Sequence, residues 1–413
     1  MAITQYSRLI ICLFAILMLS SCAAVDDLGN AWNNSRTNAQ TRSTSASTPT
    51  TQKNTQPNVY GNNKNEFSNL PAVKVAILLP LSGESSAIGQ SMLQAAQLSV
   101  FDMGYSNFNL MPRDTQGTAA GASAAAVAAI NDGAQLILGP LFADSVRAAK
   151  AVAGPKNINV IAFSTDWTLA NRSTFLMGFM PFSQVDRIAQ YSALKGYKNF
   201  ALIAPQDKYG DLVASRFEQA LLRNGGAVTK SIRFQPGDPA IINQVADLKP
   251  QSGSPEFQAV FMPVGGTQIE TISSALSYNR LMPSQIKRIG TGLWDDPRVA
   301  AQPNMQGGWF AGPSLNARRS FEQQYLTIYG QSPVRLATLA YDATALAAIL
   351  AQKGFQSGRG PAYSHADLTN PSGFAGTDGV FRFQTNGIVE RALAVLELRD
   401  GRIIEVDPAP SRF

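Results

Sequence analysis

The chain carries a single histidine, His365, and two cysteines, Cys12 and Cys22, and this narrows the chemistry open to it. A protein metal centre needs three or four ligands close together, and these residues offer no such cluster. A Ser-His-Asp triad would have to use His365, which sits in the loop-like run Gly360-Pro361-Ala362-Tyr363-Ser364-His365-Ala366. There is no Gly-x-Ser-x-Gly elbow, no phosphate loop and no metal-ligand spacing. No catalytic residue, metal or cofactor is therefore assigned. What remains is a set of polar turns: Asp144-Ser145, Ser164-Thr165, Asp207-Lys208-Tyr209-Gly210, Gly265-Gly266 and Thr291 to Asp296. Hydroxyls and free N–H groups at such turns bind carboxylates and other anions. The same residue types also cap helices, and Asp295-Asp296 reads as a solvated turn with a helix cap.

These turns matter because of what precedes them. Val73 to Leu79, Leu136 to Leu138, Val160 to Phe163, Phe200 to Pro205 and Ala259 to Pro263 are short apolar runs of buried-strand type. Between them lie helical patterns: Ile88 to Val100, the alanine-rich Ala119 to Ile130, Ser145 to Val152 and Asp211 to Leu222. Strand and helix alternating in this way imply βαβ units and a parallel sheet. In open α/β sheets ligands bind at the carboxyl ends of the strands. The stretch Gly139-Pro140-Leu141, which ends one strand, is expected to face that edge, with Asp144-Ser145 capping the next helix. Pro112 marks Asn109 to Thr115 as a strand near an edge. Arg288 to Gly290 and Trp309-Phe310 read as further strands. Ala317 to Tyr329 and the almost wholly apolar Leu336 to Gln352 read as helices. A hairpin is expected with strands Val380 to Phe383 and Ala392 to Val395 around Asn386-Gly387, followed by a strand from Arg402 to Val406.

The chain of 413 residues is long enough for two lobes, and its formal charge of +6 is scattered, without a basic block or an aromatic-basic interleave, so no nucleic-acid face is expected. Residues 1–21 read as a signal segment: Arg8 followed by the apolar run Leu9 to Leu19, which is shorter than the roughly 20 residues a membrane span needs. Residues 22–70 are rich in Asn, Thr, Ser and Gln and read as a disordered tether. As a flexible coil it would span roughly 35–42 Å on average.

Two resemblances follow. Leu19-Ser20-Ser21-Cys22 resembles the lipobox of bacterial lipoproteins, which implies that Cys22 is lipidated; Ala23 after it implies sorting to the outer membrane rather than the inner. Val75 to Gly83 with Gly89, Ala129 to Leu141, Gly196 to Gly210, Tyr341-Asp342-Ala343, and Gly376 to Phe383 with Asn386-Gly387 together resemble the type I periplasmic-binding-protein fold of the leucine/isoleucine/valine-binding family. This implies a two-lobed α/β fold, each lobe a mostly parallel sheet flanked by helices, with three crossings of the chain between lobes. Lobe one is expected at 73–182 plus 312–375, and lobe two at 183–311 plus 376–413. Matched turn by turn, the family's ligand-binding positions fall at Ser145, Ser164 and Thr165 in lobe one and at Tyr209, Gly265 and Trp294 in lobe two. The family's acidic partner for a ligand ammonium has no counterpart in Gly178 to Ser183; the acids to test are Asp186 and Asp295-Asp296.

Within that fold, Leu78 to Gly83 and Gly139-Pro140-Leu141 resemble the lipoproteins that activate penicillin-binding proteins. The first expectation is therefore a non-catalytic, lipid-anchored periplasmic protein that regulates peptidoglycan synthesis by contacting a peptidoglycan synthase. The alternative is the solute-binding receptor of a branched-chain amino-acid/amide-type ABC transporter, whose partners would be the transporter permease and a small amino-acid-like ligand.

Overall fold

The computed structural model describes residues 67, 69–250 and 253–413. The signal segment, Cys22 and nearly all of the expected tether lie outside the described residues. The tether's expected end does not: Phe67 is buried, its ring 5.7 Å from that of Tyr105, so order begins before residue 70.

Five strands form the first sheet: β1 (Val73–Leu79), β2 (Phe108–Asp114), β3 (Leu136–Leu138), β4 (Val160–Ala162) and β5 (Thr174–Leu176). Their order is β2-β1-β3-β4-β5 and every pairing is parallel. Helices α1 (Ser86–Met103), α2 (Ala119–Asn131) and α3 (Ala143–Ala153) make the crossovers. Sheets covered on both faces need near-continuous apolar strands, and β1 supplies one, with only Lys74 exposed. β2 is an edge strand, as Pro112 requires, because an edge tolerates the missing N–H.

The chain then crosses to a second sheet through α4 (Pro181–Leu194), which begins with Pro at its first position. The elements β6 (Asn199–Pro205), α5 (Lys208–Arg223), β7 (Ala227–Phe234), α6 (Ile241–Ala246), β8 (Ala259–Phe261), α7 (Gly266–Tyr278), β9 (Lys287–Gly290), α8 (Pro297–Ala300) and β10 (Trp309–Gly312) follow. A second crossing leads to α9 (Leu315–Tyr329), α10 (Ala337–Gln356), α11 (His365–Leu368) and the hairpin β11 (Phe381–Phe383) and β12 (Val389–Arg391). A third brings β13 (Ala394–Arg399) and β14 (Arg402–Asp407) to the second sheet, ordered β14-β13-β10-β9-β8-β6-β7.

Each sheet has its own core. Val75, Ile77, Leu138 and Ile161 pack with Leu339, Leu346 and Leu350 of α10, which is buried along nearly its whole length. The second sheet is filled on one face by Val260, Met262, Trp294 and Phe310, and on the other by Phe200, Phe217 and Phe261. Phe321 and Tyr325 of α9 pack on Ala95 and Leu98 of α1, so this helix returns to the first lobe.

Two expectations change. The hairpin turns at Asn386-Gly387, but Phe381 pairs with Arg391 and Phe383 with Val389; the Ala392 to Val395 run instead enters the second sheet against β10. Gln384 N–H donates to Ile388 O at 2.9 Å, and this tight closure sets the earlier register. Residues 376–391, expected in lobe two, accordingly pack with lobe one, where Phe381, Phe383 and Val389 join the core.

Candidate functional site

A cleft of about 710 Å³ opens at the carboxyl ends of strands from both sheets. From lobe one it is lined by Arg147, the loop Thr165 to Thr168, Phe179 and Arg335; from lobe two by Lys208, Tyr209, Leu293 and Asp295. Pro181, Ala311, Gly312 and Pro313, at the first two crossings, line it too, together with Gln184, Gly292 and Leu336. A somewhat larger groove, about 810 Å³, lies between α4, α5 and the β11–β12 hairpin and is lined by several arginines. It is not formed by loops at the carboxyl strand ends, which is where this architecture places ligands.

The loop after β4 is built by short-range hydrogen bonds. The Ser164 hydroxyl accepts from Asp166 N–H at 3.1 Å, and Asp166 accepts from Thr168 N–H at 3.2 Å and its hydroxyl at 2.6 Å. These bonds present Thr165 and Trp167 to the cleft, with Trp167 edge-on to Phe182 at 6.2 Å. On the opposite wall Asp207 caps α5 by accepting from Gly210 N–H at 2.7 Å, which fixes Lys208 and Tyr209 at the helix start. The Tyr209 hydroxyl lies 3.1 Å from Thr291 Oγ1. Burial pushes this phenol up to about 12, so it stays neutral and able to donate across the physiological range. Gln184 Oε1 accepts from Gly292 N–H at 2.7 Å and ties α4 to the turn after β9.

The floor of the cleft is an ion network that joins the lobes. Asp295, from lobe two, is paired with Arg318 and lies 3.4 Å from Arg335 Nε. Arg335 reaches Asp378 at 3.0 Å and lies over the Phe179 ring at 4.2 Å. Asp378 is fully buried and accepts from the Thr338 hydroxyl at 2.6 Å. Burial alone would raise this carboxyl, but Arg335, Arg391 and Thr338 more than offset it and hold it below the usual carboxylate range. Beside it Asp342, which accepts from Thr377 N–H at 2.8 Å, is pushed up to about 6 by burial and then by the Asp378 charge.

The structure brings two of the six expected ligand positions, Thr165 and Tyr209, into the cleft. Ser164 is buried and shapes the loop rather than lining it. Ser145 is buried too, its hydroxyl donating to Thr118 O at 3.2 Å; α3 starts from Phe142 without a side-chain cap, and Asp144 pairs with Arg147 instead. Gly139, Pro140 and Leu141 are packed in the interior and do not face the cleft. A Cβ on Gly139, whose φ is +80°, would fall 2.3 Å from Leu78 O, so this turn is held by close packing. Gly265 is half-buried against Leu293, which takes the cleft position in its place. Trp294, expected to line lobe two, is fully buried: its Nε1 donates to Val264 O at 3.0 Å and its ring packs against Gly290, where a Cβ would stand 2.1 Å from it. Asp296 caps α8, whereas Asp295 is an interlobe partner rather than a solvated turn residue. Asp186 faces away from the cleft, paired with Arg216 and Arg223.

Sequence reading missed Trp167, Phe179, Gln184, Lys208, Leu293 and Arg335. Lys208 and Leu293 lie inside turns already singled out, and Trp167 adjoins one, so neighbourhood could have found them. Arg335 has its partners at Asp295 and Asp378, 40 and 43 residues away, and no local pattern marks it. His365 Nε2 lies 3.0 Å from Thr385 O, and the neighbouring Ser364 hydroxyl is bound to Asp367. Among the described residues no group of three metal-ligand side chains occurs.

The comparisons with known proteins agree with this geometry. A family model described as "Periplasmic binding protein" matches residues 72–402. A putative branched-chain amino acid ABC transporter protein from Rhodospirillum rubrum superposes with a TM-score of 0.71 at 20% identity, over 81% of this chain and 100% of that one. The solute-binding protein of an ABC transporter from R. palustris, in complex with benzoate, gives 0.58 at 18% identity, over 83% and 97%. An uncharacterised protein of Rickettsia prowazekii (strain Madrid E) is 23% identical over 181 residues, 43% of this chain, and the match spans about half, 47%, of that protein's length. The type I binding fold, the cleft between its sheets and the family match along most of the chain place this protein in the periplasmic binding protein family.

Proposed function

We propose that the protein is the solute-binding receptor of an ABC transporter, non-catalytic, with a transporter permease as partner and a small solute in the interlobe cleft. The cleft carries the reading. It is about 710 Å³, within the range of small-molecule sites, walled by both lobes and lined by apolar and aromatic groups with a few polar ones. The structural neighbours described as ABC transporter proteins support the same reading over a synthase activator. A thermal-shift screen of small organic acids and amino acids tests it. A solute present at 100 times its Kd should stabilise the protein by about 2.7 kcal/mol, and a screen in which nothing raises the melting temperature contradicts it.

The anchor belongs to the same proposal. Lipidation of Cys22 and the tether that follows would hold the folded part at the periplasmic face of a membrane. A receptor serving a permease works at the inner membrane, whereas Ala23 after Cys22 favours the outer one. That residue is the observation that keeps contact with a peptidoglycan synthase as a second reading. Membrane fractionation with pull-down separates them: inner-membrane protein recovered with a permease supports the receptor, and outer-membrane protein recovered with a synthase supports the activator.

A further inference from the structure

The receptor reading leaves the solute unnamed, and the charges of the cleft narrow it. Two carboxylates line the cleft, and both are engaged. Asp295 is held by Arg318 and Arg335 from the other lobe. Asp166 accepts two bonds from Thr168 and lies 3.7 Å from Arg147. An ammonium entering the cleft would find no free acid as its counter-charge, and to take Asp295 it would have to break a partly buried pair of arginine contacts. A charge left without a counter-charge on leaving water is strongly disfavoured.

The donors are in the opposite state. Lys208 lines the cleft and makes no ion pair or hydrogen bond among the described residues. The Thr165 hydroxyl and Trp167 Nε1 have no partner there either, and Gln184, whose oxygen is committed to Gly292 N–H, keeps its amide N–H₂ free. Trp167, Phe179, Leu293 and Leu336 line the same cleft, the Phe179 ring already lying under Arg335 on one face. The cleft therefore offers a solute positive charge, free donors and apolar surface, and no unengaged carboxylate.

Resting on the receptor reading, we infer that the solute is a small carboxylate with an apolar or aromatic body and no ammonium group. Its carboxylate draws on Lys208 and the free donors, and its body packs on Trp167, Phe179 and Leu293. An amino acid of the same shape is excluded by its ammonium rather than by its size.

Isothermal titration with matched pairs tests this: 3-phenylpropionate against L-phenylalanine, and 4-methylpentanoate against L-leucine, with benzoate as a shorter acid. At least one of the acids should bind at least tenfold more tightly than its amino acid, and Lys208→Met should weaken it tenfold or more. Lys208 is exposed at the first position of α5, so the variant should unfold at the wild-type urea midpoint. Amino acids binding as tightly as their matched acids, or acid affinity unmoved by Lys208→Met, would overturn the inference while leaving the receptor reading intact. No heat from any of the five, together with a negative thermal-shift screen, would overturn both.

Discussion

Replacing Arg335 by leucine isolates the ion network under the cleft. The Asp378 side chain has no solvent exposure, and Arg335, 30% exposed, contacts it at 3.0 Å. Breaking a buried pair from one side costs roughly 3–5 kcal/mol, because the remaining charge is left in a poor medium. Two features place this case near the lower figure. The Thr338 hydroxyl still donates to Asp378, and the Arg391 charge still acts on it. Loss of the Arg335 contact over Phe179 adds about 0.5–1 kcal/mol. Urea unfolding followed by circular dichroism should therefore show Arg335→Leu destabilised by about 3.5–4 kcal/mol. Adding Asp378→Asn removes the stranded charge and should restore about 2 kcal/mol of that loss. If the single variant costs less than about 1 kcal/mol, or the double variant is no more stable than the single, Arg335 and Asp378 are not the coupled buried pair described.

Gly290→Ala puts a methyl group into the Trp294 ring and should cost about 1–3 kcal/mol as core overpacking; an unchanged urea midpoint would contradict the packing of Trp294. Asp342 gives a pH dependence. Its carboxyl is pushed up to about 6 in the folded protein and titrates near 3.9 when unfolded. Between these values the folded state binds the extra proton, so the stabilisation from this group is complete below about pH 4 and is lost as pH rises through 6. Asp342→Asn should therefore gain stability relative to wild type between pH 5 and pH 7.5, measured by urea midpoints, and a gap that does not widen with pH would contradict this.

The fold was largely legible because its strands announce themselves. β1, β3, β4, β6 and β8 are apolar runs stopped by polar or Pro/Gly turns, and such runs tolerate little else than a covered sheet. β5 was not legible, since Thr174 to Leu176 is only three residues long and lies beside a turn. The hairpin is hard to read from sequence because Ala392 to Val395 is wholly apolar and Val389-Glu390-Arg391 carries two charges; the five-residue closure at Gln384 to Ile388 nonetheless selects the charged run. The site was legible in outline, as turns at strand ends, and not in detail. A hydroxyl side chain at such a turn looks the same whether it faces the cleft, as Thr165 does, or braces a neighbouring helix, as Ser145 does. Trp294 illustrates the converse: a large aromatic after a strand, drawn into the core by the space that Gly290 leaves. The network of Asp295, Arg335 and Asp378 is assembled from three distant segments and has no sequence signature.

The central claim is that a small solute enters the cleft between the two sheets. Among the described tryptophans Trp167 reports on that cleft directly, because it lines the wall while Trp294 and Trp309 are buried. Tryptophan emission should change saturably as the best ligand of the thermal-shift screen is titrated into the wild-type protein. The change should be absent or much reduced in Trp167→Phe that still unfolds at the wild-type urea midpoint. An emission change that survives intact in Trp167→Phe would place the solute elsewhere, and no change with any stabilising solute would contradict the account.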